Sequence, residues 1–222
     1  MLSIIIPVYN QRHYTKSILA QIPLLTVSEY EIIVVDSAST DETSTEIKKY
    51  PNVRYIKENK NIFVNGAWNL GVKEAKGEYI CIMNNDLELT GWRDKPLIDN
   101  LKDNILITSP LYTIWDIPFN WRWFRNNPRN WYNICGHCFV MRKEDWTEIP
   151  ERLKIWYWDN WQYEHIVRKK GIELCIPQSK IHHYESKTVK SKNKLIDMII
   201  AEDNRQRKLF AEDYFKNLSI WK

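Results

Sequence analysis

Five short apolar runs recur along the chain: Leu2 to Val8, Glu31 to Val35, Val53 to Ile56, Tyr79 to Met83 and Ile105 to Thr108. Stretches of helical period separate them. Runs without strict alternation belong to strands covered on both faces, as in a parallel sheet with helices on either side. The first half therefore reads β-α-β-α-β-α-β and predicts an α/β fold with a mostly parallel central sheet flanked by helices. In such sheets ligands gather beyond the carboxyl ends of the strands. The residues found there are Tyr9-Asn10, Asp36, Lys57 to Asn61 and Asn84-Asn85-Asp86.

Local signals add detail. Ser39 with Glu42 has the spacing of a capping box for a helix running to Tyr50. Asn65 to Lys76 carries a helical pattern ending at Gly77, where a left-handed cap fits. The second half predicts an irregular stretch from Pro110 to Asn133, a strand at Gly136 to Met141 and a helix from Asp159 to Lys170. A strand at Ile172 to Ile176 follows, then the pair His182-His183. Leu195, Met198, Ile199 and Phe210 predict a terminal helix, Lys192 to Leu218, packed on the body. With 222 residues, a single domain buries roughly 70% of its unfolded surface. Its expected parts are 1–109, 110–191 and the helix of 192–222.

Composition narrows the function classes. The 32 basic and 28 acidic side chains give a net charge of +4 and are mixed along the chain, with no block resembling a nucleic-acid arm. No apolar run approaches the roughly 20 residues that span a bilayer. Neither a basic leader nor a cleavage site precedes the first strand, and Cys81 and Cys175 lie in apolar runs. A reduced, cytoplasmic protein is the expectation.

Several residue groups can carry chemistry, and each has a plain structural alternative. Asp36, followed by small residues, can accept hydrogen bonds from a base or ribose, or simply shape a turn. Asn84-Asn85-Asp86 supplies hard oxygen ligands for Mg²⁺ or Mn²⁺ at a strand end, or a polar turn. His182 and His183 can complete such a site or stand exposed. Asp159 and Glu164, near a helix start, suit a general base, although acids are common there anyway. Cys135-Gly136-His137-Cys138 lacks the second ligand pair a structural zinc needs. The stretch Trp115 to Trp131, rich in tryptophan and arginine, could stack sugars or an aromatic acceptor, touch a membrane interface or form a small core of its own; single-stranded nucleic acid fits least, because the basic residues do not extend into a longer stripe.

Taken in order, these residues resemble the inverting glycosyltransferase family 2 of the GT-A fold. Ser3-Ile4-Ile5-Ile6-Pro7-Val8-Tyr9-Asn10 is similar to the family's opening strand and loop, and Val34-Val35-Asp36-Ser37-Ala38-Ser39-Thr40-Asp41 to its second signature. Asn61 to Gly71, with Ala67, Asn69 and Gly71 spaced as in the family, leads to Asn84-Asn85-Asp86, the counterpart of its metal-binding Asp-x-Asp element. The resemblance implies that Pro7, Tyr9, Asp36, Asn69 and Asn85 serve the nucleotide-diphospho-sugar, and that Asp86 and His183 hold a divalent Mn or Mg ion. It also puts Gly136 and His137 on the acceptor side and makes Asp159, or Glu164 in its place, the base. The acceptor would be a glycan, a lipid-linked sugar or a protein.

The chain departs from the family pattern at four places: Asn84 and Asn85 replace acids, Trp68 stands where many relatives carry Arg, and the helix opens Asp159-Asn160 rather than with two acids. Nucleotidyl transfer fits less well, because no glycine-rich phosphate loop follows the first strand. A degenerate nucleotide-sugar or carbohydrate-binding protein is the alternative that Asn160 keeps open.

Overall fold

The computed structural model describes residues 1–113, 136–169, 171–184 and 194–213. The aromatic stretch Trp115 to Trp131, Cys135 and the segment Glu185 to Lys190 lie outside the described residues. Eight strands form one sheet in the order β3-β2-β1-β4-β7-β6-β8-β5. They are β1 (Leu2–Val8), β2 (Tyr30–Asp36), β3 (Val53–Lys57), β4 (Tyr79–Met83), β5 (Leu87–Gly91), β6 (Ile105–Thr113), β7 (Cys138–Arg142) and β8 (Ile172–His183). Strands β3, β2, β1 and β4 run parallel, as do β6 and β8; β7 and β5 pair antiparallel with their neighbours. The helices are α1 (Arg12–Leu25), α2 (Thr43–Ile47), α3 (Phe63–Glu74), α4 (Asp94–Asp99), α5 (Trp158–Arg168) and α6 (Lys194–Asp213).

Both faces of the central strands are buried, which is why their sequences do not alternate. Ile4, Ile6, Ile32 and Val34 pack with Ile18, Leu19 and Ile22 of α1 on one face. Ile5, Ile33, Val35, Ile80 and Ile82 pack with Ala67, Trp68 and Val72 of α3 on the other. Helix α3 lies close to β1 because Gly71 faces Ile5: a Cβ at Gly71 would stand 2.2 Å from Ile5 Cγ2.

Four local expectations need correction. Ser39 does not cap α2; its Oγ accepts from Asn10 N, while Asp41 Oδ1 accepts Thr43 N at the helix start. Gly77 is not left-handed; a glycine is required there because a Cβ would lie 2.7 Å from Met1 O. His182 and His183 do not follow a strand ending at Ile176 but close the longer β8. Leu195 and Met198 are exposed; α6 instead turns Ile196, Ile199, Ile200, Asp203 and Gln206 inward, at the spacing of one helical face. The sequence reading also missed β5 and α4, and β6 continues past residue 109, so both expected halves share the sheet.

Gly71→Ala sets a helix-propensity gain of about 0.5–1 kcal/mol against overpacking of about 1–3 kcal/mol. Ile5 is fully buried and branched, so overpacking should win. Urea denaturation should show a lower midpoint for the variant.

Candidate active site

A cavity of about 230 Å³ opens at the carboxyl ends of β1, β2 and β4, where a parallel sheet presents its loops. Its wall includes Pro7, Tyr9, Gln11 and Ser37 from the first two loops, Asn61, Phe63 and Val64 at the start of α3, and Asn84, Asn85 and Asp86 after β4. Gly136 and His137 before β7, the run Ile155 to Asp159 entering α5, and Ile196 of α6 complete it.

Asp86 is buried and meets His183 across the chain: His183 Nε2 lies 3.1 Å from Asp86 Oδ1. Strand period decides which histidine arrives. His183 faces inward, pairing in register with Leu87, while His182 turns to the other side and packs its ring on Tyr184. Burial alone would raise the Asp86 carboxyl, but the hydrogen bond from His183 and the imidazole charge outweigh it and hold its pKa below the ordinary value. His137 stacks on His183 with ring centroids 3.7 Å apart. Burial first, and then the neighbouring His183, bring the His137 pKa down to about 4, so that ring is neutral near pH 7.

Asp159 reaches the same cavity from the first turn of α5. Its Oδ1 accepts Asn160 N at 2.9 Å, and its Oδ2 lies against Gly136, where a Cβ would come within 2.7 Å. Gly136 is thus the space into which this carboxyl fits. Burial raises the Asp159 pKa, only partly offset by the backbone N–H of Asn160. At the start of α5 the Trp158 ring packs into the core, 5.2 Å from Phe139 and 5.4 Å from Trp68 between centroids. Trp68, fully buried, is therefore a core residue here.

The remaining expected site residues separate into two groups. Pro7, Tyr9 and Asn85 line the cavity, and Asn85 Nδ2 also donates to Thr15 Oγ1. Asp36, Asn69 and Glu164 are not on the wall. Asp36 is buried behind Ser37, its carboxylate taken up by Ser39 N (2.7 Å), Tyr55 Oη (2.6 Å) and Ser44 Oγ (3.1 Å). Tyr55 stays a donor, since burial and Asp36 push its pKa up to about 12. Asn69 uses both ends of its amide on Ile149, donating to O at 2.8 Å and accepting from N at 2.9 Å. Glu164 is fully buried on α5. Cys138 faces Cys81 in the core, Sγ to Sγ 4.0 Å.

The backbone is strained around this cavity. Among the described residues positive φ occurs at six that are not glycine, of which Gln11, Phe63 and Tyr157 line the wall and Asn10 and Ala38 adjoin it. Such conformations cost about 1–3 kcal/mol each for ordinary residues and gather at functional sites. Sequence reading missed the run Ile155 to Trp158 and Ile196, because neither lies at a strand end.

As a metal site, Asp86 and His183 bring an ionised oxygen and an imidazole nitrogen together, a donor set suited to Mn²⁺ or Mg²⁺ beside phosphate. Among the described residues no cluster of three or more ligating side chains occurs. Phosphate oxygens, water and the amide oxygens of Asn84 and Asn85 on the same wall are the kinds of further ligand such an ion takes.

The family Glycosyl transferase family 2 matches residues 3–150. An uncharacterized glycosyltransferase of Rickettsia felis is 38% identical over 87 residues, covering 38% of this chain and 14% of that protein. The poly(ribitol-phosphate) beta-N-acetylglucosaminyltransferase TarS of Staphylococcus aureus is 30% identical over 90 residues, covering 38% and 16%. The chain thus spans a small part of these relatives' length. Among solved structures, a mannosyltransferase of Pyrobaculum calidifontis in complex with GDP-Man and Mn²⁺ superposes with TM-score 0.65 at 18% identity, covering 84% of this chain and 57% of that one. Glucosyl-3-phosphoglycerate synthase of Mycobacterium tuberculosis, with Mn²⁺, UDP and glucosyl-3-phosphoglycerate, gives 0.66 at 15% identity, covering 96% and 79%. At these identities the likeness is one of fold.

Replacing Trp68 by Ala removes the ring that backs Trp158 and should cost about 3–5 kcal/mol. The expected readouts are a lower melting temperature and a weaker near-ultraviolet aromatic dichroism signal.

Proposed function

Because this chain belongs to glycosyl transferase family 2, we propose that its cavity transfers a sugar from a nucleotide-diphosphate donor to an acceptor hydroxyl, inverting the anomeric carbon. The observation that carries this reading is that one cavity is walled both by Asp86, beside His183, and by Asp159. A leaving diphosphate needs positive charge, and an attacking hydroxyl needs a base. The two carboxylates meet these needs from different elements.

Asp86 and His183 would hold the divalent ion, in keeping with the Mn²⁺ named with the two structural relatives. When bound, such an ion supplies positive charge to the diphosphate oxygens. His137, neutral and stacked on His183, keeps that imidazole in place. Tyr9, Phe63 and Val64 provide a partly apolar wall for the nucleotide. Asp159 takes the acceptor proton as the new glycosidic bond forms, a role worth roughly 10²–10⁴-fold in rate. Its raised pKa suits it to the task, since a stronger base accepts the proton more readily. Asp159, and not Asn160, lines the cavity, which favours an enzyme over the degenerate binding protein. The acceptor class is a glycan, a lipid-linked sugar or a protein hydroxyl.

A panel of nucleotide-sugars with Mn²⁺ tests the reading through release of nucleoside diphosphate; binding without release would favour the non-enzyme alternative. Asp86→Ala should abolish metal-dependent release while circular dichroism stays unchanged, and full activity in that variant with metal chelated would remove the mechanism.

Asp159→Asn should lower kcat by roughly 10²–10⁴-fold with little change in donor KM. The base must be deprotonated, so wild-type kcat should rise with pH through a value above the ordinary carboxylate range. A profile flat across that range would count against Asp159.

A further inference from the structure

Helix α6 contributes more to the cavity than its exposed outer face suggests. Ile196 stands on the wall, and two turns further on Asp203 is fully buried. Its carboxylate accepts three consecutive backbone N–H groups: Lys154 N on Oδ1 at 2.9 Å, and Ile155 N and Trp156 N on Oδ2 at 2.7 and 2.8 Å. Asn65 of α3 holds the same segment through its carbonyls, donating from its backbone N to Lys154 O at 3.1 Å and from Nδ2 to Trp156 O at 3.3 Å. The next residue, Tyr157, has φ 66°, and its hydroxyl donates to Asn204 Oδ1, beside Asp203. Helix α5 begins one residue later, and Asp159 is its second residue.

A docking contact for a helix needs only apolar side chains. A buried carboxylate is costly unless N–H donors surround it, and the donors here fix three successive amides in one direction. That constraint offsets the cost of a left-handed tyrosine and leaves a single residue between the clamped segment and α5.

We propose that Asp203 is a positioning residue for the transfer reaction: by clamping the amides of Lys154 to Trp156 it sets the start of α5 and so the place of Asp159 on the cavity wall. The inference rests on the role given to Asp159 above. Asp203 would then govern turnover without governing the hold on the nucleotide, whose wall is built from other elements.

Asp203→Asn exchanges one accepting oxygen for an NH₂ group that opposes the amide donors. Turnover of the nucleotide-sugar that the panel identifies, with water as acceptor, should fall roughly 10- to 100-fold, the scale of a displacement near 1 Å. Affinity for the matching nucleoside diphosphate with Mn²⁺ should stay within about twofold. The double variant Asp159→Asn/Asp203→Asn should be no slower than Asp159→Asn alone, because Asp203 acts through Asp159. Additive losses, a parallel loss of nucleotide affinity, or wild-type turnover in a folded Asp203→Asn protein would each overturn the proposal. An Asp159→Asn protein that turns over as wild type would instead overturn the base assignment. Should Asp203→Asn melt below the assay temperature, Tyr157→Phe, which removes only the hydroxyl bound to Asn204, carries the same expectation at smaller amplitude; unchanged turnover there would count against the clamp.

Discussion

A carboxylate taken out of water at the end of a buried strand needs a compensating donor, and the Asp86 end of the cavity is arranged around that need. Asp86 lies just past β4, after Asn84 and Asn85, and the chain continues at once into β5, which pairs antiparallel with the end of β8. Leu87 aligns with His183, and Tyr184 N donates to Asp86 O at 3.0 Å. This edge pairing brings an imidazole 97 residues away in sequence to within 3.1 Å of the Asp86 carboxylate. His137, just before β7, stacks its ring on the face of His183.

Much of this was legible in the sequence, for identifiable reasons. The runs Leu2–Val8 and Tyr79–Met83 are buried on both faces, so their composition declares them whatever the tertiary detail. The strand-end rule singled out Tyr9, Asn85 and Asp86, and all three line the cavity, because the rule depends only on where a strand stops. The five-residue β5 was invisible, being too short and too mixed in Leu87-Glu88-Leu89-Thr90-Gly91 to stand out from a turn. Asp36 and Asn69 show the other limit. A polar residue at a suggestive position announces a hydrogen-bonding need but not its partner, and both side chains are satisfied within the protein.

The same distinction explains how the loops are held. Asn10 Oδ1 accepts from Thr40 N and Oγ1 and from Asp41 N, Asp36 ties Ser39, Ser44 and Tyr55, and Asp94 receives Val27 N and Ser28 N. Each carboxylate or amide satisfies backbone groups that a loop between buried strands would otherwise leave unpaired. The strained residues Asn10, Gln11, Ala38, Phe63 and Tyr157 sit where these ties are densest. Polar side chains that resemble ligand contacts in sequence thus act one layer back, fixing the backbone that forms the wall.

The charge of that wall bears on how a diphosphate could approach it. The cavity lining among the described residues carries two carboxylates, Asp86 and Asp159, and no lysine or arginine. Trp68 cannot supply a cation from α3, since its ring is fully buried against Trp158. Two phosphates meeting such a surface unaided would be repelled, and the repulsion is strong because a partly buried site screens poorly. Burial raises the proton affinity of Asp159, whereas the hydrogen bond from His183 holds Asp86 toward its ionised form. On the proposed reading, the ionised group would stand where a cation between protein and phosphate is most strongly attracted, and the group with the higher proton affinity where the acceptor proton would go.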